Sequence, residues 1–155
     1  MNIENVRAEL HTAVVTPLDD GGAVDVPRLL AHCQALIEAG CDGIALFGTS
    51  GEGPSFSVAE RMAVLDALVA GGLSAERIIV GVGCAALPDV TALSRHAAQS
   101  GCAAVLMMPP FFFDGVTDEG VYHAYATAID GAGAATPKVL LYHIPSVSRV
   151  PLGHA

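Results

Sequence analysis

Residues 43–53 read GIALFGTSGEG, a short apolar run that passes directly into a glycine-rich polar loop. The run 43–47 has the length and composition of a buried strand. A helix is predicted to follow it, because Ser57 and Glu60 have the spacing of a capping box, which marks a helix start. This part of the chain therefore predicts one βα unit, the element from which parallel sheets are built.

The same alternation of strand and helix fills the 155 residues. The predicted strands cover residues 11–16, 43–47, 78–82, 103–107 and 139–142, and the predicted helices cover 26–39, 58–70, 88–100 and 118–130. The strands are nearly continuous apolar runs, which indicates a parallel α/β sheet covered by helices. Four βα units and a fifth strand fit an open flavodoxin-like sheet, which this length would complete. They also fit part of a (β/α)8 TIM barrel, which needs about 250 residues.

The ends and faces of the first two helices can be predicted in more detail. Asp25 is a good N-cap for the first helix, and Gly40 is expected to end it. In the second helix, the residues predicted to face the core are Val58, Met62, Leu65 and Val69.

The composition excludes several classes of protein. Hydrophobic residues make up 52% of the chain and charged residues 15%, so the chain can bury a core and is not intrinsically disordered. The net charge of −9 makes nucleic acid or an anionic membrane a poor partner. No apolar run approaches the roughly 20 residues that span a bilayer, and no signal peptide is recognisable. The four cysteines, Cys33, Cys41, Cys84 and Cys102, form no C-x-x-C pair, so we expect reduced thiols and a cytoplasmic protein.

Cofactor and metal motifs are weak in this sequence. Gly81-Val82-Gly83 begins like a dinucleotide-binding motif, but Ala86 stands where its third glycine is expected. No two of the six histidines have a metal-ligand spacing on one helix. We therefore expect neither a cofactor nor a bound metal.

Polar residues that could carry chemistry follow the predicted strands, where both candidate architectures place their sites. Thr49 and Ser50 lie between glycines after the second strand, and such a loop can turn backbone N–H groups and hydroxyls toward a carboxylate or phosphate. An ordinary polar turn explains this loop equally well. Tyr142 ends the fifth strand and could relay a proton, although a half-buried core tyrosine is the simpler interpretation of that residue alone.

Taken together, these motifs resemble a known family. The loop 48–52 and the stretch 142–145, Tyr-His-Ile-Pro, are similar to motifs of the dihydrodipicolinate synthase / N-acetylneuraminate lyase family. Residues 12–17 are similar to the family's first strand, and residues 109–122 to its fourth strand and the helix after it. The resemblance covers essentially the whole chain.

This resemblance implies a TIM barrel, assembly as a homo-tetramer and metal-free class I aldolase chemistry. In that family pyruvate or another 2-oxo acid forms a Schiff base with a lysine, and its C3 then forms or breaks a bond with an aldehyde. By resemblance, Thr49 and Ser50 would bind the pyruvate carboxylate, and Tyr142 would be the catalytic residue that relays protons.

The sequence departs from the family pattern in three ways, and the last two affect the expected substrate. The family's lysine lies on strand 6, whereas the only lysine here is Lys138, at the opposite end of strand 5 from Tyr142 and expected to be solvated. Phe111-Phe112-Phe113 stands where the synthase branch has a tyrosine. Val147 stands where that branch has an arginine for the aldehyde's carboxylate, and Arg149 comes two positions later. A sugar-acid or other 2-oxo-acid aldolase therefore fits better than the lysine-biosynthesis reaction.

The domain expectation follows from the same resemblance. Residues 1–155 would be the N-terminal half of a single TIM-barrel domain, a fragment whose remaining strands are absent and which would be inactive alone. Strands 1 and 5 would then be unpaired edges. The alternative is a complete, non-catalytic flavodoxin-like module that binds a small anion at Thr49 and Ser50.

Overall fold

The computed structural model describes residues 9–133 and 137–153, and its centre is a five-stranded sheet. The strands are β1 (His11–Ala13), β2 (Gly43–Leu46), β3 (Ile78–Gly81), β4 (Ala104–Met107) and β5 (Lys138–Leu141). Each strand pairs in parallel with the next one along the chain, so the order is β1-β2-β3-β4-β5. The predicted α/β class and the parallel sheet are confirmed.

The strand order separates the two architectures that the sequence left open. A flavodoxin-like sheet has the order 2-1-3-4-5, with a switch point at which the chain reverses direction across the sheet. The observed order is consecutive, as it is around a barrel. The flavodoxin-like alternative is therefore wrong as a fold.

The helices follow the strands in the same regular way. They are α1 (Val26–Glu38), α2 (Val58–Ala70), α3 (Leu87–Gln99), α4 (Asp118–Ala132) and a short α5 (Pro145–Ser148). From α1 to α4, each helix packs against the next. The Asp25 side chain accepts a hydrogen bond from the Arg28 N–H, and Ser57 and Glu60 form the predicted capping box. Both predicted helix starts are confirmed. They could be predicted because each cap is an interaction within the first turn of its own helix.

The two faces of the sheet have different partners. Ile44, Leu46, Val80 and Val105 belong to the hydrophobic core shared with the helices. The alternate positions, such as Ala45, Ile79, Ala104 and Leu106, point to the opposite face, since side chains alternate along a strand. In a barrel that second face lines the interior, and the interior opens at the carboxyl ends of the strands.

The predicted core face of α2 is only partly right. Leu65 is buried, but its buried companions are Arg61, Val64 and Leu68, while Val58, Met62 and Val69 pack only at the margin of the core. The helix is therefore rotated relative to the predicted stripe. The rotation brings a charged side chain into the core.

Among the described residues, β1 and β5 are the two edge strands, and Leu141 of β5 is 56% exposed. Within residues 9–133 and 137–153, no helix combines the length and the apolar composition that a membrane crossing requires.

Candidate functional site

The hydroxyl groups of Thr49 and Tyr142 meet at the carboxyl ends of the strands. Thr49 follows β2 and Tyr142 follows β5, and their oxygen atoms lie 3.1 Å apart, a hydrogen-bond distance. The Tyr142 N–H donates to the Met107 carbonyl at 2.8 Å, so the β4–β5 ladder fixes the base of the tyrosine. The fold thus brings together two of the three residues that the sequence singled out.

These two hydroxyls lie in a cavity of about 260 Å³. Its other described lining side chains are apolar, and they are Phe47, Pro54, Leu106, Met108, Phe111 and Val147. Gly48, Gly81 and Gly83 contribute backbone to its wall. The cavity is therefore an apolar pocket with one pair of convergent hydroxyls, the usual composition of a small-molecule site.

The loop that presents Thr49 begins with a strained residue. Phe47 is buried and has a φ of 56°, a left-handed conformation that bulky side chains rarely adopt. A Cβ at either Gly53 or Gly81 would overlap the Phe47 carbonyl oxygen. These two glycines therefore provide the space in which the loop can turn.

The loop is also attached to the end of β1. The Thr16 hydroxyl donates to the Gly51 carbonyl at 2.7 Å. A Cβ at Gly51 would lie 2.9 Å from the Val14 carbonyl oxygen, so only glycine lets the loop approach this closely. The position of Thr49 is thus set by contacts on both sides of β2.

Arg61 of α2 supports the same region from inside the core. Its side chain is only 2% exposed, and its guanidinium donates to the carbonyls of Gly81 and Gly83 and to the Cys84 sulfur. Its Cζ lies 5.8 Å from the centre of the Phe47 ring. Burial lowers the pKa of Arg61, and the nearby Cys84 and Asp89 oppose that shift. Since an arginine stays protonated in proteins, a buried positive charge binds the end of β3 to α2.

Sequence reasoning missed Arg61 because an isolated arginine on a helix is normally solvated. A signal was nevertheless present. Arg61, Leu65 and Leu68 follow one another at i, i+4 and i+7, the spacing of a single buried helix face.

The other sequence candidates lie away from the cavity. Ser50 is exposed, and it is not among the residues that line the cavity. Lys138 is the exposed first residue of β5, so it lies at the opposite end of that strand from Tyr142. The prediction that Lys138 is a solvated strand-start lysine is confirmed.

The residues that depart from the family pattern divide between the cavity and the surface. Phe111 and Val147 line the cavity. Phe112 is 73% exposed and Phe113 62% exposed, with their rings edge to face at 5.3 Å. Arg149 is exposed, and it is not among the residues that line the cavity.

The cysteines are free thiols, as expected from their spacing. Cys33 and Cys102 are buried, and burial raises the pKa of each to about 11. Across residues 9–133 and 137–153, no group of three or more histidine, cysteine or acidic side chains could hold a metal ion.

Comparison with solved structures identifies the architecture. The crystal structure of dihydrodipicolinate synthase from Agrobacterium tumefaciens superimposes with a TM-score of 0.90 at 35% sequence identity, over 93% of this chain and 50% of that one. The five-stranded sheet with its helices corresponds to the first part of that protein's (β/α)8 barrel. The predicted barrel class is confirmed.

Comparison of sequences gives the same result. The chain is 44% identical to a "DapA-like lyase" of Chloroflexus aurantiacus over 144 residues, and 35% identical to 4-hydroxy-tetrahydrodipicolinate synthase 2 of Streptomyces coelicolor. These alignments cover 91% of this chain but 47% and 46% of the relatives, so the chain spans about half their length. The model of the dihydrodipicolinate synthetase family matches residues 7–154. Since that match takes in nearly every residue of the chain, the protein belongs to the dihydrodipicolinate synthetase family.

Proposed function

We propose that this chain supplies the carboxylate-binding and proton-relay part of a Schiff-base pyruvate aldolase or lyase. The observation that supports the proposal is the 3.1 Å contact between the Thr49 and Tyr142 hydroxyls in an otherwise apolar cavity. Family membership and the similarity to named 4-hydroxy-tetrahydrodipicolinate synthases support the reaction class.

The proposed reaction starts with a lysine amine that attacks the pyruvate carbonyl. The carbonyl oxygen leaves as water, and a protonated imine remains, which acts as an electron sink. C3 of pyruvate can then lose a proton and attack an aldehyde carbon, and the reverse sequence cleaves the same bond. Lys138 is not placed to be this lysine, because it lies at the amino end of β5. The nucleophile is therefore proposed to lie outside these 155 residues, which would be inactive alone.

Thr49 and Tyr142 have complementary roles in this scheme. The Thr49 hydroxyl, together with backbone N–H groups of the loop that includes Ser50, would bind the pyruvate carboxylate. Tyr142 would deliver a proton to the leaving oxygen and exchange one with the aldehyde oxygen, and the Thr49 hydroxyl would orient the phenol through their shared hydrogen bond. No cofactor or metal is needed for these steps. A small 2-oxo acid and an aldehyde are the proposed partners, and a homo-tetramer is the proposed assembly.

Borohydride trapping tests the proposal. The protein from its native source is incubated with pyruvate and borohydride, and its intact mass is measured with and without pyruvate. We expect a reduced pyruvate adduct on a polypeptide longer than this one, and no adduct on the 155-residue chain. An adduct on the short chain would show that Lys138 or the N-terminal amine reaches the site, and the assigned placement of the nucleophile would then be wrong.

A further inference from the structure

Arg61 contacts the wall of the cavity from the helix layer behind it. Its guanidinium donates to the Gly81 carbonyl, and to the Gly83 carbonyl at 3.1 Å. Both glycines belong to the wall of the cavity that holds Thr49 and Tyr142, whereas Arg61 does not line that cavity. A buried charge therefore holds two backbone groups of the site without lining the space that a ligand would occupy.

The end of β3 that Arg61 binds also holds Phe47 in place. A Cβ at Gly81 would overlap the Phe47 carbonyl oxygen and lie 3.0 Å from the Gly48 nitrogen, so these backbones are in close contact. The Arg61 Cζ lies 5.8 Å from the centre of the Phe47 ring, a distance at which a cation attracts an aromatic face. Phe47 is thus held at its ring by Arg61 directly and at its carbonyl through Gly81.

Phe47 determines where Thr49 lies, because only Gly48 separates the two residues. The φ of 56° at Phe47 turns the chain out of β2 and into the loop. Such a conformation is unfavourable for a bulky residue and persists only when the surrounding structure imposes it. Loss of the Arg61 contacts would therefore let Phe47 relax, and the Thr49 hydroxyl would move with it.

We infer that Arg61 is a positioning residue for the pyruvate site: it holds the end of β3 and the Phe47 ring so that the Thr49 hydroxyl is directed at the substrate carboxylate. The inference rests on the proposed function, in which Thr49 binds that carboxylate, and it adds a residue of the helix layer that controls this binding. All the contacts that transmit the effect lie within β2, β3, α2 and the loops that follow the two strands.

The chemistry of the side chain explains why an arginine suits this role. A planar guanidinium presents its N–H donors in a fixed arrangement, so it can hold two carbonyl groups at a set separation. Burial of its charge is costly, and the hydrogen bonds offset that cost only when both carbonyls are held in the right places. An apolar side chain of similar length could fill the space, but it could not fix Gly81 and Gly83 relative to α2.

The pyruvate affinity of the complete protein that carries this chain tests the inference. Borohydride-trapping titrations compare the wild type, Arg61→Met and Leu65→Ala, at a temperature at which circular dichroism shows each of them folded. Arg61→Met should weaken pyruvate binding by about tenfold, as much as loss of the Thr49 hydrogen bond itself.

Leu65→Ala is the matched control for a loss of stability alone. Leu65 is 1% exposed, lies one turn beyond Arg61 on the same buried face of α2, and does not line the cavity. Its truncation should destabilise the protein but leave pyruvate affinity within about twofold of the wild type.

A double-mutant cycle with Thr49→Val separates positioning from a general effect on the core. If Arg61 acts through Thr49, Arg61→Met should weaken binding by about threefold or less once the Thr49 hydroxyl is absent, because coupled residues are non-additive. Arg61→Lys keeps the charge but not the paired donors. It should lose less affinity than Arg61→Met and show the same dependence on Thr49, so the test stands even if Arg61→Met does not fold.

The outcomes distinguish the inference from the proposed function. Unchanged pyruvate affinity in the folded Arg61 variants, or effects that are strictly additive with Thr49→Val, would overturn the inference and leave the proposed function intact. An equal loss of affinity in Leu65→Ala would do the same. Absence of a pyruvate adduct on the wild-type complete protein would overturn the proposed function, and the inference with it.

Discussion

The Thr49 and Tyr142 hydroxyls are hydrogen-bonded across 93 positions of sequence, at 3.1 Å. Thr49 belongs to a loop fixed by close glycine contacts, and Tyr142 is fixed by the ladder between β4 and β5. Two separately supported elements therefore define the direction of one phenol. This relationship leads to predictions in which the two residues are coupled.

Tyr142→Phe is expected to reduce kcat of the complete protein by about a hundredfold or more, because a general acid–base group is lost. Pyruvate affinity, measured by borohydride-trapping titration, should change much less, since the phenol is not assigned to the carboxylate. An equal loss in kcat and in affinity would contradict the relay role.

Thr49→Val removes a hydroxyl while keeping the shape of the side chain. We expect pyruvate affinity to fall by about tenfold, and Thr49→Ser, which keeps the hydroxyl, to restore most of it. In a double-mutant cycle on kcat/KM, Thr49→Val and Tyr142→Phe should be non-additive by about 0.5 kcal/mol or more, as expected for groups in contact. Strict additivity would show that the hydrogen bond is not used in the reaction.

Arg61→Ala should lower the free energy of unfolding by about 3 kcal/mol, because the guanidinium's bonds to the carbonyls of Gly81 and Gly83 are lost and a cavity is left. Arg61→Met is the matched control, since it refills the volume without restoring the hydrogen bonds, and it should recover only part of the loss. Urea unfolding measures both variants. If Arg61→Met proved as stable as the wild type, the buried hydrogen bonds would not be what stabilises this region.

Gly81→Ala should destabilise the protein by about 2 kcal/mol, because the added methyl group would overlap the Phe47 carbonyl and force the backbone to move. Gly48→Ala is the control in the same region. Its Cβ would be 4.0 Å from Leu106, an ordinary contact, so we expect a change within about 0.5 kcal/mol. Thermal unfolding of the two variants should differ accordingly, and equal melting temperatures would contradict the close packing.

Glu60 gives the capping box a predicted pH dependence. Hydrogen bonds from Ser57 lower the pKa of Glu60 below 4.5, so the ionised form is favoured in the folded state. The stabilisation is therefore present above pH 4.5 and is lost as the pH falls through the lower folded-state value. Glu60→Gln should reduce stability at neutral pH and have little effect in strong acid, as measured by urea unfolding. A difference between variant and wild type that did not change with pH would argue against this hydrogen-bonded carboxylate.

The sequence predicts the features of this protein that depend on local interactions. The starts of α1 and α2 are set by Asp25 and Ser57, which contact their own first turns, and both were predicted at the residue observed. Thr49 and Tyr142 could be nominated because parallel strands direct their carboxyl ends to one edge. Their hydrogen bond could not be predicted, since it depends on the strand order.

Two features of the site could not be derived from local patterns. The left-handed backbone of Phe47 contradicts the preference of a bulky residue, and it is stable only because Gly53 and Gly81 leave room for its carbonyl. The burial of Arg61 depends on carbonyl groups that β3 provides from a different part of the chain. In both cases tertiary contacts override the local preference.

The consecutive strand order also suits synthesis from the amino terminus. Each strand after β1 pairs with the strand that precedes it along the chain. When a strand leaves the ribosome, the strand it pairs with has therefore already been synthesised. In the order 2-1-3-4-5, the connection after the second strand would have to cross over the first strand before the third could pair with it. Here the sheet can extend by one βα unit at a time. The newest edge strand always runs in the same direction, so the next strand can pair with it in parallel.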